Sequence, residues 1–266
     1  MWRGGQLGVT MDSVPLYDDL SVDYDRFIDW PRRLARELPV LEALLAAHGV
    51  ERVLDAACGT GGHVLALRER GYLADGADLS AEMIAQARAQ AQARGQEAGF
   101  WVAGFGELTA RVPGPYDALL CLGNSLPHVL TGDDLHRALR DMALVLRDGG
   151  LLVIQNRNYD RVWRSRDRYM PLLQHRDGDR EWLFFRFMDF HETSLTFNVV
   201  TLARDDGRWS YRVGSTELRP ILQGELAREL DAAGLAPVDW WGGYDRAAFD
   251  PERSGDLIAV AVKGGG

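Results

Sequence analysis

A glycine-rich run followed by an acidic residue carries the clearest chemical signal in this sequence. The run reads Asp-Ala-Ala-Cys-Gly-Thr-Gly-Gly-His over residues 55–63, and Asp78 ends the next apolar segment. Gly59 and Gly61 permit a tight turn in which the backbone approaches a ligand closely. A carboxylate at the carboxyl end of a strand can accept both hydroxyls of a ribose. The pattern therefore predicts a nucleoside-binding site.

The spacing of this run argues against a dinucleotide ligand. The dinucleotide fingerprint is Gly-x-Gly-x-x-Gly, and Val64 stands where its third glycine is required. The negative charge of Asp55 would also repel a pyrophosphate, whereas the same carboxylate suits a cationic amino group. A glycine turn that binds no ligand is the alternative interpretation.

Alternating strand and helix patterns would position these residues. The predicted strands are 52–56, 73–77, 99–103, 116–122 and 151–155, and the predicted helices are 33–48, 63–70, 81–94 and 133–146. Later in the chain, a helix at 223–233 and strands at 237–241 and 257–263 would complete the sheet. This alternation indicates an α/β fold with a doubly wound, mainly parallel sheet of seven strands.

A change of period after residue 180 predicts a separate antiparallel unit. Residues 181–190, 195–204 and 209–218 are rich in aromatic and branched side chains and are separated by polar turns. Such an insertion over the carboxyl edge of the parallel sheet could form a lid, or it could simply cover the sheet or make a dimer contact. The expected divisions are an N-terminal segment (1–29), a cofactor-binding core (30–160), the insertion (161–221) and a C-terminal completion of the core (222–266).

Three short motifs resemble those of a known enzyme family. Asp-x-x-Cys-Gly-Thr-Gly at 55–61 is similar to motif I of the class I, Rossmann-like S-adenosylmethionine-dependent methyltransferases. Gly-Asn-Ser at 123–125 and Arg-Asn-Tyr-Asp at 157–160 resemble the glycine N-methyltransferase and glycine/sarcosine methyltransferase family. The resemblance covers about residues 30–160. It implies S-adenosyl-L-methionine as cofactor, S-adenosyl-L-homocysteine as product, and methyl transfer to the amine of a compact amino acid such as glycine or sarcosine.

The resemblance also implies roles for individual residues. Arg157 would grip the acceptor's carboxylate, Asn124 would lie near its amine, and these two are the candidate catalytic residues. Tyr24 and Tyr159 are further candidates for acceptor binding. The expected cofactor-binding residues are Arg33, which would bind the methionine carboxylate, Met83, which would pack on adenine, and Asp55, Ala57, Gly59, Gly61, Asp78, Leu79, Gly104, Phe105 and Leu122.

Two positions depart from the family pattern. Ala57 replaces a frequent glycine, and Gly104 stands where many relatives have an aspartate or asparagine that meets the adenine amino group. That contact is expected to come from the backbone or from nearby Glu107.

The implied chemistry requires little from side chains. A sulfonium methyl is already activated, so transfer to a neutral amine mainly requires that the reacting atoms be aligned. Arg157 suits a carboxylate because its planar fork donates two parallel hydrogen bonds, although an ion pair with Asp160 is the structural alternative. Asn124 could orient the amine through its side-chain oxygen. His128 and His191 are weaker candidates for removing the proton, because a lone histidine more often has a structural role.

Composition restricts the class of partner. The net charge of the 266 residues is -9, which argues against a nucleic-acid partner. No apolar run approaches the length of a membrane span, and no metal-ligand spacing occurs. With only two cysteines and no signal-peptide pattern, we expect a cytoplasmic protein that acts on a small molecule without a membrane partner. A homo-oligomer remains open.

The sequence is also compatible with two other functions. One is N- or O-methylation of another carboxylate-bearing or natural-product small molecule. The other is cofactor binding without turnover, in a regulatory protein.

Overall fold

The first half of the fold alternates strands and helices. The computed structural model describes residues 23–265, so residues 1–22 of the expected N-terminal segment lie outside them. The elements up to residue 165 are α1 (Tyr24–Ile28), α2 (Trp30–Ala47), β1 (Arg52–Asp55), α3 (Gly62–Arg68), β2 (Leu73–Asp78), α4 (Ala81–Ala93), β3 (Phe100–Val102), α5 (Leu108–Arg111), β4 (Tyr116–Cys121), a 3-10 turn (Leu126–His128), α6 (Gly132–Val145), β5 (Leu146–Arg157) and α7 (Tyr159–Ser165).

The C-terminal part completes the main sheet with α8 (Gln223–Ala232), β10 (Leu235–Trp241) and β11 (Asp256–Lys263). The strand order of this sheet, sheet A, is β10-β11-β5-β4-β1-β2-β3 in the part of the chain that the structure describes. The first five strands are parallel, and β11 runs antiparallel to both β5 and β10. The predicted doubly wound, mainly parallel sheet of seven strands is confirmed.

Sheet A is buried on both faces. Neighbouring residues of a strand point to opposite sides, so Val53 and Leu54 of β1 belong to two different apolar cores. Leu119 and Leu120 of β4 are divided between the two cores in the same way. This double burial explains why these strands appear in the sequence as continuous apolar runs.

The second sheet, sheet B, contains four antiparallel strands where the sequence predicted three. They are β6 (Leu173–Asp177), β7 (Arg180–Phe190), β8 (Leu195–Asp205) and β9 (Arg208–Leu218), in that order. β6 was missed because Leu-Gln-His-Arg-Asp has one apolar residue and no alternation. It forms because its backbone pairs with β7, which is a tertiary contact.

One face of sheet B is buried against α1 and α7. Phe184 of β7 is fully buried and meets Phe27 of α1 edge to face, with ring centroids 5.3 Å apart. Arg219, just after β9, donates its backbone N–H to the carbonyl of Pro127, 2.8 Å away, in the loop that follows β4. The insertion therefore covers part of the carboxyl edge of sheet A. Within the described residues, no helix is long and apolar enough to cross a membrane.

Candidate active site

A cavity of about 790 Å³, counted with its open mouth, lies at the carboxyl ends of β1 to β4. Open α/β sheets bind their ligands at this edge. The predicted site residues that line it are Tyr24, Ala57, Gly59, Asp78, Leu79, Met83, Gly104 and Phe105. The sequence analysis did not select Ala56, Ser80, Ala103, Gly123, Ser125 and Val129, which also line it and are close in sequence to the predicted positions.

Backbone groups hold the Asp78 carboxylate at the cavity wall. Oδ2 accepts a hydrogen bond from the Gly59 N–H at 2.8 Å, and Oδ1 accepts one from the Ser80 N–H at 3.0 Å. Gly59 has a φ of +54°, and a Cβ at this position would lie 3.1 Å from the Tyr24 ring. Glycine therefore permits both the left-handed turn and the close approach to Tyr24.

Apolar side chains line the same cavity as this carboxylate. Met83 is almost fully buried, and Leu79 and Phe105 line the same space. A Cβ on Gly104 would lie 3.0 Å from Cδ1 of Leu79, so an aspartate or asparagine would crowd the wall here. The Glu107 Oε2 accepts a hydrogen bond from the Gly104 N–H at 3.1 Å. A fixed carboxylate and an apolar surface in one cavity fit the ribose and adenine of S-adenosylmethionine.

Four predicted cofactor residues lie outside the lining of this cavity: Arg33, Asp55, Gly61 and Leu122. The Arg33 side chain approaches this lining, because a Cβ on the lining residue Gly123 would lie 3.0 Å from the Arg33 Nη2. Asp55 is 2% exposed and accepts the Ala57 N–H at 3.3 Å. Burial raises the pKa of the Asp55 carboxyl, and nearby His63 opposes that shift.

A buried ionic network connects Arg33 and Asp55. The Arg33 Nε donates to the Glu37 carboxylate at 3.1 Å, and His63 Nε2 lies 2.8 Å from Oε2 of the same group. His63 Nδ1 lies 3.7 Å from Asp55 Oδ2. Glu37 and His63 were not predicted as site residues. The available signal was an acidic residue on the apolar stripe of α2, four positions after Arg33.

Glu37 carries a negative charge in this network. Burial alone would raise its pKa, but the hydrogen bond with His63 and the positive charge of Arg33 outweigh burial and lower the pKa to about 2. Burial by itself would lower the pKa of Arg33, and the charge of Glu37 raises it instead. Each charge therefore stabilises the other behind the cavity wall.

Asp25, which the sequence analysis missed, holds α1 against the glycine turn. Its Oδ1 accepts from the Thr60 hydroxyl at 2.6 Å and from the Trp30 Nε1 at 2.8 Å. This contact brings Tyr24 into the cavity, where burial raises the pKa of its hydroxyl to about 12. The Tyr24 hydroxyl is therefore a neutral group at physiological pH.

The Gly-Asn-Ser and Arg-Asn-Tyr-Asp segments meet at Asn124. The Asn124 Oδ1 accepts the backbone N–H of Arg157 at 3.0 Å, and its Nδ2 donates to the Tyr159 hydroxyl at 3.0 Å. Its neighbours Gly123 and Ser125 line the cavity. The side-chain oxygen that was expected to orient the amine thus already accepts a hydrogen bond. In the structure, the Asn124 side chain positions the end of β5 beside the cavity.

Arg157 makes no ion pair with a carboxylate in the described part of the chain. Asp160, the expected structural partner, instead accepts the Gln223 N–H at 3.0 Å. The Arg157 Nη1 lies 2.9 Å from the sulfur of Met170. Arg157 and Met170 also line a second cavity of about 740 Å³. The guanidinium is therefore placed to take a carboxylate from outside the protein.

The two histidine candidates lie in different places. His128 lines the first cavity and places Nδ1 2.8 Å from the Ser125 carbonyl, and burial lowers its pKa. His191 lies in the turn between β7 and β8, where its Nε2 is 2.7 Å from the Thr196 hydroxyl. The structure brings only His128 to the candidate site.

The other reactive side chains of the described residues are poorly suited to catalysis. Cys58 and Cys121 are buried free thiols, and burial raises the pKa of both. Neither is therefore a thiolate nucleophile at physiological pH. Among residues 23–265, no group of three or more histidine, cysteine, aspartate or glutamate side chains could hold a metal ion.

Known proteins resemble this chain both in sequence and in fold. A family model described as a methyltransferase domain matches residues 53–150. The glycine/sarcosine N-methyltransferase of Parasynechococcus marenigrum (strain WH8102) is 38% identical over 145 residues, which are 54% of this chain and 51% of that protein. The glycine N-methyltransferase of Oryctolagus cuniculus is 42% identical over 61% of each chain. The chain thus spans about half the length of the curated relatives that it matches.

Solved structures resemble the fold over almost the whole chain. An S-adenosylmethionine-dependent methyltransferase from Clostridium acetobutylicum ATCC 824 has a TM-score of 0.78 at 17% identity and covers 94% of this chain and 99% of its own. The sugar N-methyltransferase KedS8 from Streptoalloteichus sp ATCC 53650 has a TM-score of 0.74 at 23% identity, over 100% and 98%. The predicted resemblance is confirmed: residues 53–150 match a methyltransferase domain, the chain is similar in sequence to glycine and sarcosine N-methyltransferases, and its fold is that of S-adenosylmethionine-dependent methyltransferases.

Proposed function

We propose that the protein transfers a methyl group from S-adenosylmethionine to the amine nitrogen of a compact amino acid such as glycine or sarcosine. One observation carries this proposal: Arg157, whose guanidinium makes no ion pair with a carboxylate of residues 23–265, has its backbone held by Asn124 beside the cavity that contains Asp78. An amino acid supplies both the carboxylate that Arg157 would bind and the amine that would face the cavity. The relatives named glycine and sarcosine methyltransferases support the same acceptor.

The side chains act mainly by binding and alignment. Asp78 would bind the ribose hydroxyls, and Leu79 and Met83 would pack on the adenine. When bound, S-adenosylmethionine supplies a methyl group that is activated by its sulfonium. Arg157 would fix the acceptor's carboxylate with two parallel hydrogen bonds, which sets the direction of the amine. A neutral amine attacks without a strong base, so alignment is the main requirement.

A direct assay tests this function. The purified protein is incubated with S-adenosylmethionine and with glycine, sarcosine or no acceptor, and mass spectrometry quantifies S-adenosylhomocysteine and the methylated amino acid. We expect product that depends on the acceptor. A protein that binds the cofactor but methylates neither amino acid would contradict the proposed acceptor.

Arg157 provides the first mutational test. Arg157→Met removes the charge and the fork, so we expect the acceptor KM to rise about tenfold to a hundredfold, as the loss of hydrogen bonds to a charged group implies. The affinity for S-adenosylhomocysteine, measured by calorimetry, should not change. Arg164→Ala is the control, because Arg164 is exposed and pairs with Glu252 on the surface. An unchanged acceptor KM in Arg157→Met would remove Arg157 from the site.

The second cavity favours one alternative acceptor, a larger carboxylate-bearing small molecule. This second cavity beside Arg157 measures about 740 Å³ with its open mouth included, which leaves room for a group bulkier than glycine. The same assay with larger amino and hydroxy acids distinguishes the two, since a larger acceptor would show the higher kcat/KM.

The cytoplasmic location and the oligomeric state stay predictions.

A further inference from the structure

A second arginine of the insertion lies on the inward face of sheet B. Side chains alternate along β7, so Arg186 points to the same side as Phe184 and Met188. Those two neighbours are 0% and 2% exposed. The Arg186 guanidinium carbon lies 5.6 Å from the centre of the Phe27 ring, on the helix that carries Tyr24. A charged group thus occupies a position on the buried face.

Arg186 lacks an anionic partner among the residues that the structure describes. Its Nη2 donates to the Pro171 carbonyl at 2.9 Å, and its Nε is buried with no hydrogen-bond partner. Burial lowers the pKa of Arg186 to about 10, and the positive charge of Arg157 adds to the effect. Arg186 therefore remains charged at neutral pH, although its surroundings do not compensate the charge.

The side chains of Arg157 and Arg186 both contact the Met170–Pro171 dipeptide. Arg157 Nη1 lies 2.9 Å from the Met170 sulfur, and the Met170 N–H donates to the Arg186 carbonyl at 3.1 Å. Arg186 Nη2 in turn bonds to the next residue, Pro171. Arg33, which is also partly buried, is by contrast paired with the Glu37 carboxylate. The positive charges of the two guanidinium groups repel each other, and an anion between them would reduce the cost of burying these charges.

We propose that Arg186 is a second acceptor-binding residue, which shares the acceptor's carboxylate with Arg157. This inference rests on the proposed function for the carboxylate and adds a residue from the insertion to the site. The two oxygens of a carboxylate have about four lone-pair sites, enough to accept hydrogen bonds from both arginines. The insertion then binds the acceptor directly, and an amine without an anionic group is a poor acceptor.

Acetate tests the pair of arginines without turnover. In the presence of S-adenosylhomocysteine, the dissociation constants of acetate and of uncharged acetamide are measured by NMR titration. Arg186→Met keeps the apolar stem and removes the charge, so we expect acetate to bind about tenfold more weakly or worse, with acetamide unaffected. Arg186→Lys restores the charge but not the fork and should recover part of the affinity. Arg180→Met is the matched control, because Arg180 lies on the same strand but is exposed and paired with Asp205.

Thermal stability separates a binding role from a structural one. If Arg186 is held ready for an anion, replacing its uncompensated charge by methionine should leave the melting temperature of the ligand-free protein unchanged or raise it. If Arg186 instead stabilises the fold, Arg186→Met should melt at a lower temperature. Wild-type acetate affinity in a folded Arg186→Met variant that binds S-adenosylhomocysteine would overturn the inference.

The outcomes also separate this inference from the proposed function. Acetate binding that depends on Arg186, in a protein that methylates neither glycine nor sarcosine, would support the shared carboxylate site and contradict the proposed acceptors. Methylation of glycine with kinetics unchanged in Arg186→Met would contradict the role of Arg186 and support the proposed function.

Discussion

At the scale of single residues, a few backbone hydrogen bonds prepare the cofactor site. Asp78 is held by the N–H groups of Gly59 and Ser80, at 2.8 and 3.0 Å, so its carboxylate faces the cavity before any ligand binds. A group already held in position loses little conformational entropy on binding. The carboxylate charge and this fixed geometry together make Asp78 the strongest candidate for recognising the ribose.

Asp78→Asn should weaken cofactor binding. The substitution removes the charge and turns one acceptor into a donor, so the affinity for S-adenosylhomocysteine should fall about tenfold to a hundredfold. Isothermal titration calorimetry measures the change. Glu82→Gln serves as the control, because Glu82 is an exposed acid in the first turn of α4, the helix that follows Asp78. Equal affinities in Asp78→Asn and the wild type would exclude the ribose contact.

At the scale of elements, helix packing builds the site from parts that are distant in the chain. The start of α2 lies directly on the start of α3: a Cβ on Gly62 would be 2.5 Å from the Trp30 ring. Trp30 also meets the His63 ring edge to face, with centroids 5.3 Å apart. This contact sets the distance between the helix that carries Arg33 and the turn that carries Gly59.

Gly62→Ala should destabilise the protein. The added methyl group overlaps the Trp30 ring, and overpacking of this kind costs about 1–3 kcal/mol. Urea unfolding measures the loss in the free energy of unfolding. For comparison, Gly224→Ala places its methyl in the first turn of α8, where the nearest atom is 4.0 Å away, and should be neutral or stabilising. A Gly62→Ala variant as stable as the wild type would show that α2 can shift at no cost.

At the scale of the whole molecule, buried charges join elements that sheet topology alone leaves separate. Glu37 of α2 reaches His63 of α3, and His63 in turn lies 3.7 Å from Asp55 of β1. Because Glu37 keeps its charge in the folded protein, the stability of the protein depends on pH through this group.

The sign of that dependence follows from the lowered pKa of Glu37, about 2 against an ordinary 4.5. Its contribution to stability is present above about pH 4.5 and is lost as the pH falls towards 2. Glu37→Gln should therefore be less stable than the wild type at neutral pH, by about 1–3 kcal/mol, and should lose stability less steeply on acidification. Urea unfolding at a series of pH values tests this. Glu252→Gln, at an exposed ion pair, is the control. If the free energies of unfolding of Glu37→Gln and the wild type changed in parallel with pH, this prediction would be contradicted.

Local patterns in the sequence determined most of the core. Strand and helix periods, the glycine turn and Asp78 each depend on a few neighbouring residues, because local backbone preference and one-sided burial produce them. The same reasoning failed for α7 and β6. The polar run of β6 forms a strand only because β7 offers backbone hydrogen bonds along its length.

Tertiary structure alone decided which distant charges meet. Glu37 and His63 are 26 positions apart, and Arg157 and Arg186 approach each other only because both side chains contact the Met170–Pro171 dipeptide, which packs beside β7. A sequence records each charge but not its distance from another, since that distance is set by how the helices and the two sheets pack. The glycine turn and its acidic partner were therefore predictable from residue types and spacing, whereas the buried network behind the cavity and the second arginine beside it required the packed structure.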